Sequence, residues 1–162
     1  RIEGGGLLVD KKRSGLAGLT ADMMNESTQN YTSEEISVEL QKLGSSISFS
    51  ADEDGTTMYI ESLTKNIDAT LVLAEEKLLR PAFNNDDFKR VKKQTLEGME
   101  AMKKNSQYLG FTYLSNQLFG ETPFGRVTSD KSIKKIKLSD VQSYYKNYSA
   151  SIMRLQNLNP SI

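Results

Sequence analysis

Two of the side chains that most often carry out chemistry in proteins are missing from this sequence: among its 162 residues there is no histidine and no cysteine. A catalytic zinc usually takes three protein ligands and a water, and histidine nearly always contributes. Serine and cysteine nucleophiles of the triad type need an imidazole base. What remains is 21 Asp and Glu, and sites built from oxygen alone suit calcium or magnesium better than zinc. Asp52-Glu53-Asp54-Gly55 has the look of part of a calcium loop. It lacks the spaced acidic positions and the distal bidentate glutamate, so a hairpin turn is the better reading. Gly4-Gly5-Gly6 has neither a following Lys-Ser/Thr nor the G-x-G-x-x-G spacing of a phosphate cradle, and reads as the entry to a strand. A carboxylate pair of the glycosidase kind stays open, with nothing to single out one pair.

Charge narrows the field further. Lys and Arg also total 21, so the net charge is zero and no long-range field draws in nucleic acid or an anionic membrane. Lys89, Arg90, Lys92 and Lys93 cluster, but Glu97 and Glu100 follow, which describes a solvated helix face. Tyr144, Tyr145 and Tyr148 have helical spacing and read as a packed face before a binding stripe. No apolar run approaches membrane-spanning length, and no signal peptide is visible. The opening without an initiating Met suggests a fragment of a longer protein, here treated as one domain over residues 1–162.

The elements that would position these residues follow from periodicity and punctuation. Leu7 to Val9 read as the tail of a strand, and Ser14 as the N-cap of a helix over Gly15 to Glu26 with Leu16, Leu19, Met23 and Met24 on one face. Thr32 and Glu35 have capping-box spacing and open a helix with Ile36, Leu40 and Leu43, which Gly44 ends. Ser46 to Ser50 alternate apolar and polar, Asp52 to Gly55 turn, and Thr57 to Leu63 alternate again with Met58 and Ile60 together: an antiparallel hairpin. A helix with Ile67, Leu71, Ala74 and Leu78 as its buried stripe stops at Pro81. Asn84 or Asn85 caps the next, with Phe88, Val91, Thr95, Met99 and Met102 on one face. Another runs from about Gln107 to Phe119 with Phe111, Leu114 and Leu118 in register, then a loop over Gly120 to Gly125. Ser139 caps a last helix with Val141 and the three tyrosines, and Ser151 to Leu155 make a closing strand. The fold class is α+β, an antiparallel sheet with helices packed on one face.

Four stretches in this order resemble the pitrilysin/insulinase family of zinc metallopeptidases. The first is Gly15 to Thr28. In active members of the family this helix carries H-x-x-E-H between a Gly-x-Ala and a downstream Gly-Thr, two histidines on one face with a glutamate as general base. Aligned on Gly15 and Ala17, the histidine positions hold Gly18 and Asp22, and the glutamate position holds Ala21. The second stretch, Tyr31 to Ser48, is similar to the family's helix ending in Leu-Gly and feeding a strand. The third is Arg80-Pro81-Ala82-Phe83 with Phe88-Lys89-Arg90, and the fourth is Phe119 to Arg126, close to a Gly-x-x-Pro-Tyr/Phe-Gly loop. Glu97 falls 75 residues after Asp22, near the place of the third zinc ligand in active members.

The resemblance implies a non-catalytic half-domain. Gly18, Ala21, Asp22 and Glu97 are then degenerate zinc-motif positions, with no catalytic residue and no metal ligand in this chain. Zinc would belong to the catalytic half of the parent. The implied partners are that zinc-binding half, fused or separate, and a peptide substrate enclosed between the two, with no nucleic acid and no membrane insertion. An Arg/Tyr pair that contacts substrate in related inert halves falls further downstream than residue 162. The bacterial periplasm or cell envelope is the compartment the resemblance suggests. A core subunit that uses the fold without proteolysis is the rival reading, and an independent carboxylate enzyme is a third.

Overall fold

The computed structural model describes residues 2–3, 9, 13–120 and 122–147. Its sheet has three antiparallel strands: β1 (Ile2–Glu3), β2 (Ser46–Ala51) and β3 (Gly55–Glu61), with β3 in the middle. The hairpin register pairs Ile47 with Ile60 and Phe49 with Met58. Ile47 and Phe49 are buried and Ser46, Ser48 and Ser50 exposed, as the alternation demands. Asp52 makes the turn: its Oδ1 accepts from the N–H groups of Asp54 and Gly55 at 2.9 and 2.8 Å.

Two helices sit against β2: α1 (Leu16–Met24) and α2 (Ser33–Leu43). The capping box of α2 is formed, with Glu35 N–H donating to Thr32 Oγ1 and Thr32 N–H to the Glu35 carboxylate at 2.8 Å. Gly44 ends it in the left-handed region at φ 58°. Helix α3 (Ile67–Leu79) is followed by α4 (Asn85–Met102), which Asn84 caps by accepting from Asp87 N–H at 2.8 Å. Then come α5 (Ser106–Phe119), a short α6 (Asp130–Lys135) and α7 (138–147). Leu19, Met23, Met24, Ile133, Ile136 and Val141 are the most completely enclosed apolar side chains, and α1 packs on β2 and α4.

Several expectations need correcting. Ser14 does not cap α1: Gly15 takes the N-cap, and the Ser14 hydroxyl hydrogen-bonds Thr128 Oγ1 at 3.0 Å. In α3, Ile67 and Leu71 are exposed, while Thr70, Leu73, Ala74, Glu76 and Lys77 are buried. This helix is apolar on several sides, so periodicity alone did not pick its inner face. Thr70 is tolerated inside because its hydroxyl bonds Asn66 O at 2.9 Å and Ser45 and Ser62 Oγ at 2.8 Å each. Met102 on α4 is exposed, as are Phe111, Leu114 and Leu118 on α5. Ser139 lies inside α7, where Asp140 Oδ2 accepts from Lys137 N–H at 2.9 Å at the start of the helix. Helix α6 carries no glutamate signature, because its capping box uses Ser129 and Ser132 in place of the usual glutamate. Val9 lies in a bend rather than a strand, while Leu7, Leu8, Tyr148 and the closing strand at Ser151 to Leu155 fall outside the described residues.

Candidate functional site: the motif helix and its surroundings

Helix α1 is a short helix buried on almost every side: Leu16, Ala17, Leu19, Thr20, Ala21, Met23 and Met24 are all inside. Thr20 satisfies its hydroxyl on Leu16 O at 2.8 Å. The helix can start where it does only because residue 15 is glycine. Its φ is 94°, and a Cβ there would sit 2.5 Å from Ile133 Cδ1 and 2.8 Å from Thr128 Cγ2.

The positions expected from the resemblance to be degenerate zinc-motif sites face three different environments. Gly18 opens on a cavity of about 280 Å³, and a Cβ added there would meet nothing within 4 Å. Ala21 is 2% exposed and belongs to the core. Asp22 is exposed on the surface of the helix, and its carboxyl pKa is raised by the protein crowded around it and then by the negative charge of Glu26. Glu97 is on the exposed side of α4, pairing with Lys93 at 3.7 Å. It stands two turns along from Arg90, hence on the same side of α4, and Arg90 reaches back to Glu26 just past the end of α1 at 2.6 Å.

Gly18 and Ala21 carry no donor atom and Asp22 supplies a single carboxylate. Among the described residues no group of three or more His, Cys, Asp or Glu is arranged to hold a metal ion. This donor set does not fit zinc, which needs several ligands held to within a few tenths of an ångström.

The cavity beside Gly18 brings together stretches far apart in the sequence. Ala51, Asp52 and Glu53 of the hairpin, Arg126 of the Pro-Phe-Gly-Arg loop, Thr128 and Ser14 share its wall. Arg126 Nη1 donates to Val9 O at 2.9 Å, while its Nε is enclosed with no acceptor among the described residues. The loop itself depends on glycine, since a Cβ on Gly125 would run into the backbone of Gly120.

Residues that sequence reasoning missed brace the segment leaving α1. Asn25 uses both ends of its amide on Phe49, donating to the carbonyl at 2.9 Å and accepting the N–H at 2.8 Å, and so occupies the outer edge of β2. Lys77, 3% exposed, donates from Nζ to Asn25 O at 2.7 Å. Burial lowers its pKa to about 8, with Glu26 acting in the opposite direction. Glu76 accepts from Asn30 at 3.0 Å and Arg80 at 2.9 Å. The Arg80-Pro81-Ala82-Phe83 stretch completes the brace: Gln29 N–H donates to Arg80 O at 2.8 Å and Ala82 N–H to Ser27 O at 3.0 Å. Phe83, at φ 45°, tucks its ring edge-on against Tyr145, centroids 5.1 Å apart. A lysine and a glutamate inside an apolar helix were the available signals, since such groups are buried only when paired.

The basic cluster and, of the three tyrosines, Tyr144 and Tyr145 have structural partners. Lys89 pairs with Asp86, Arg90 with Glu26 and Asp87, and Lys93 with Glu97. Lys92 donates to the carbonyls of Lys134 and Ile136. Tyr145 donates its hydroxyl to Leu78 O at 2.7 Å, and Tyr144 and Tyr145 pack on the core.

Comparison with known proteins agrees with this architecture. The profile of the insulinase family, peptidase family M16, matches residues 1–132. Among curated proteins, the non-peptidase homolog YmxG of Helicobacter pylori is 28% identical over 146 residues, which is 89% of this chain and 34% of that protein. The mitochondrial-processing peptidase subunit beta of Saccharomyces cerevisiae is 24% identical over 157 residues, 95% of this chain and 34% of that protein. Among solved structures, the peptidase M16 inactive domain from Pseudomonas fluorescens superposes with a TM-score of 0.79 at 29% identity, covering 89% of this chain and 36% of that one. A protease from Helicobacter pylori superposes with a TM-score of 0.83 at 18% identity, covering 91% and 36%, a likeness of fold. The chain spans about a third of the length of the relatives it matches. It belongs to the insulinase family.

Proposed function

We propose, with membership of the insulinase family as the premise, that residues 1–162 form an inert domain of a peptidase, enclosing peptide against a zinc-bearing half that performs the hydrolysis. The observation that carries the reading is the motif helix. Helix α1 is buried on nearly all sides, and the loop that follows is braced by Asn25, Lys77 and Glu76. Its donors are gone, with Gly18, Ala21 and Asp22 at the motif positions and Glu97 turned to Lys93. A well-supported helix with too few donors for zinc supports a wall of the chamber over a reaction centre. The likeness to a domain described as inactive supports the same reading. In it, zinc lies in the partner half, and this chain contributes shape and contact surface.

The reading is tested by adding this chain to the separately produced zinc-bearing half and following cleavage of an unfolded peptide. Activity is expected only with both present and only with zinc retained. Cleavage by this chain alone would contradict it.

A second reading is an inert scaffold subunit in an assembly that does no proteolysis, supported by the likeness to a relative named a non-peptidase homolog. In that case the whole assembly leaves the peptide intact under the same conditions.

A further inference from the structure

The three positions that the resemblance aligns with H-x-x-E-H are not equivalent on α1. Residues 18 and 22 are four apart and so lie on one side of the helix, one turn above the other. Both look outward: a Cβ on Gly18 would meet nothing within 4 Å, and Asp22 is exposed. Residue 21 follows residue 18 by three, which turns it about 60° from residue 18 and about 100° from residue 22. That rotation carries it toward the side of Ala17 and Met24. Ala17, Ala21 and Met24 are all buried and belong to the one core cluster.

The two kinds of position differ in what a larger side chain would meet there. An imidazole at 18 has a cavity of about 280 Å³ beside it, and one at 22 has solvent. Two imidazoles four residues apart on one helical face can share a metal ion. Neither has to displace a neighbour of α1. A glutamate at 21 is a different case. It would bring four more heavy atoms and a negative charge to a place that holds one methyl group. Close-packed interiors take added volume only through strain, and a buried carboxylate is strongly disfavoured unless a cation or donors meet it. The buried cation near the end of α1, Lys77, already donates to Asn25 O at 2.7 Å. Arg90 is engaged with Glu26 and Asp87.

We infer that residue 21, the general-base position of the aligned motif, is a core position of this fold that does not accept a glutamate, whereas the two histidine positions accept their ligands. The domain is then kept from hydrolytic chemistry by packing as well as by missing donors. The alignment on Gly15 and Ala17 is the premise. What the domain pairs with does not enter, so the inference goes beyond both functional readings above and stands under either.

The test compares variants of the full chain by thermal melting, with and without added zinc. Ala21→Glu should lower the melting temperature by roughly 10 °C or more, or prevent folding. Asp22→Glu puts the same side chain one residue further on, at the surface, and should melt within about 3 °C of the unaltered chain. Gly18→His with Asp22→His should also melt within about 3 °C of it, and added zinc should raise the melting temperature of this pair but not of the unaltered chain, because a metal that binds only the folded form stabilises it. Ala21→Glu melting like Asp22→Glu would overturn the inference by showing that the core has room for the base. A histidine pair that destabilises as much as Ala21→Glu, or that melts at the same temperature with and without zinc, would overturn it too, since the ligand positions would then be no better placed than the base.

Discussion

Helices α1 and α5 are both poor in charge and rich in apolar residues, yet one is enclosed and the other bare. The single acidic residue of α1 is Asp22, at its surface, and α5 has none. Composition therefore does not separate them; surroundings do. Around α1, this chain supplies the sheet, α4, and the Ile133, Ile136 and Val141 side chains. Around α5 it supplies attachments at the two ends. Among the described residues α1 is enclosed by the chain's own elements, and α5 is left bare.

The largest effect should come from cutting into the enclosed helix. Leu19→Ala removes a side chain that is 1% exposed and should cost about 2–5 kcal/mol, lowering the melting temperature by roughly 5–15 °C in a thermal scan. A loss no larger than that of a surface substitution would mean that α1 is not the centre of the core.

Next comes pH dependence through Lys77. In the native chain its pKa is lowered to about 8, against an ordinary value of 10.5. Below pH 8 both states hold the proton, and the native state bears the full cost of a buried charge. Between pH 8 and 10.5 the unfolded chain holds more protons than the native one, so stability rises with pH, by at most about 3 kcal/mol. Urea titrations across this range should show the rise in the unaltered chain and a flatter profile in Lys77→Met. Parallel profiles would remove Lys77 from the account.

Two glycines one helical turn apart sharpen the comparison within α1. Gly15→Ala forces a Cβ into Ile133 and Thr128 at a positive φ and should destabilise by more than about 1 kcal/mol. Gly18→Ala places a methyl in open space and should stabilise by about 0.5–1 kcal/mol. Equal effects in chemical denaturation would contradict the described entry to α1. The smallest effect is expected at the bare helix, where Leu118→Ala should change the stability of this chain by less than about 0.5 kcal/mol.

Much of this was legible in the sequence wherever a local rule had one outcome. The alternation through Ile47 and Phe49, the Thr32–Glu35 box and Gly44 behaved as their chemistry required. The inner face of α3 was not legible, because Ile67, Leu71, Val72 and Leu73 leave no unique stripe and tertiary hydroxyl partners chose Thr70. For α5 the register of Phe111, Leu114 and Leu118 is legible, but an apolar register does not say whether the same chain covers it, and here these residues are exposed. At the motif helix, residue types were readable, but the separation of Gly18, Ala21 and Asp22 into cavity, core and surface depended on how α1 packs. The bracing by Asn25, Lys77 and Glu76 joins residues 24 to 52 apart, so Lys77 and Glu76 in an apolar helix signal buried partners without saying which ones.

The central claim is that this domain keeps the motif helix without its metal chemistry. The most direct measurement is the zinc content of the chain after equilibrium dialysis against zinc and then against metal-free buffer, at neutral pH. The account predicts no stoichiometric zinc, because Gly18, Ala21 and Asp22 leave too few donors for a stable site. One zinc retained per chain would contradict it.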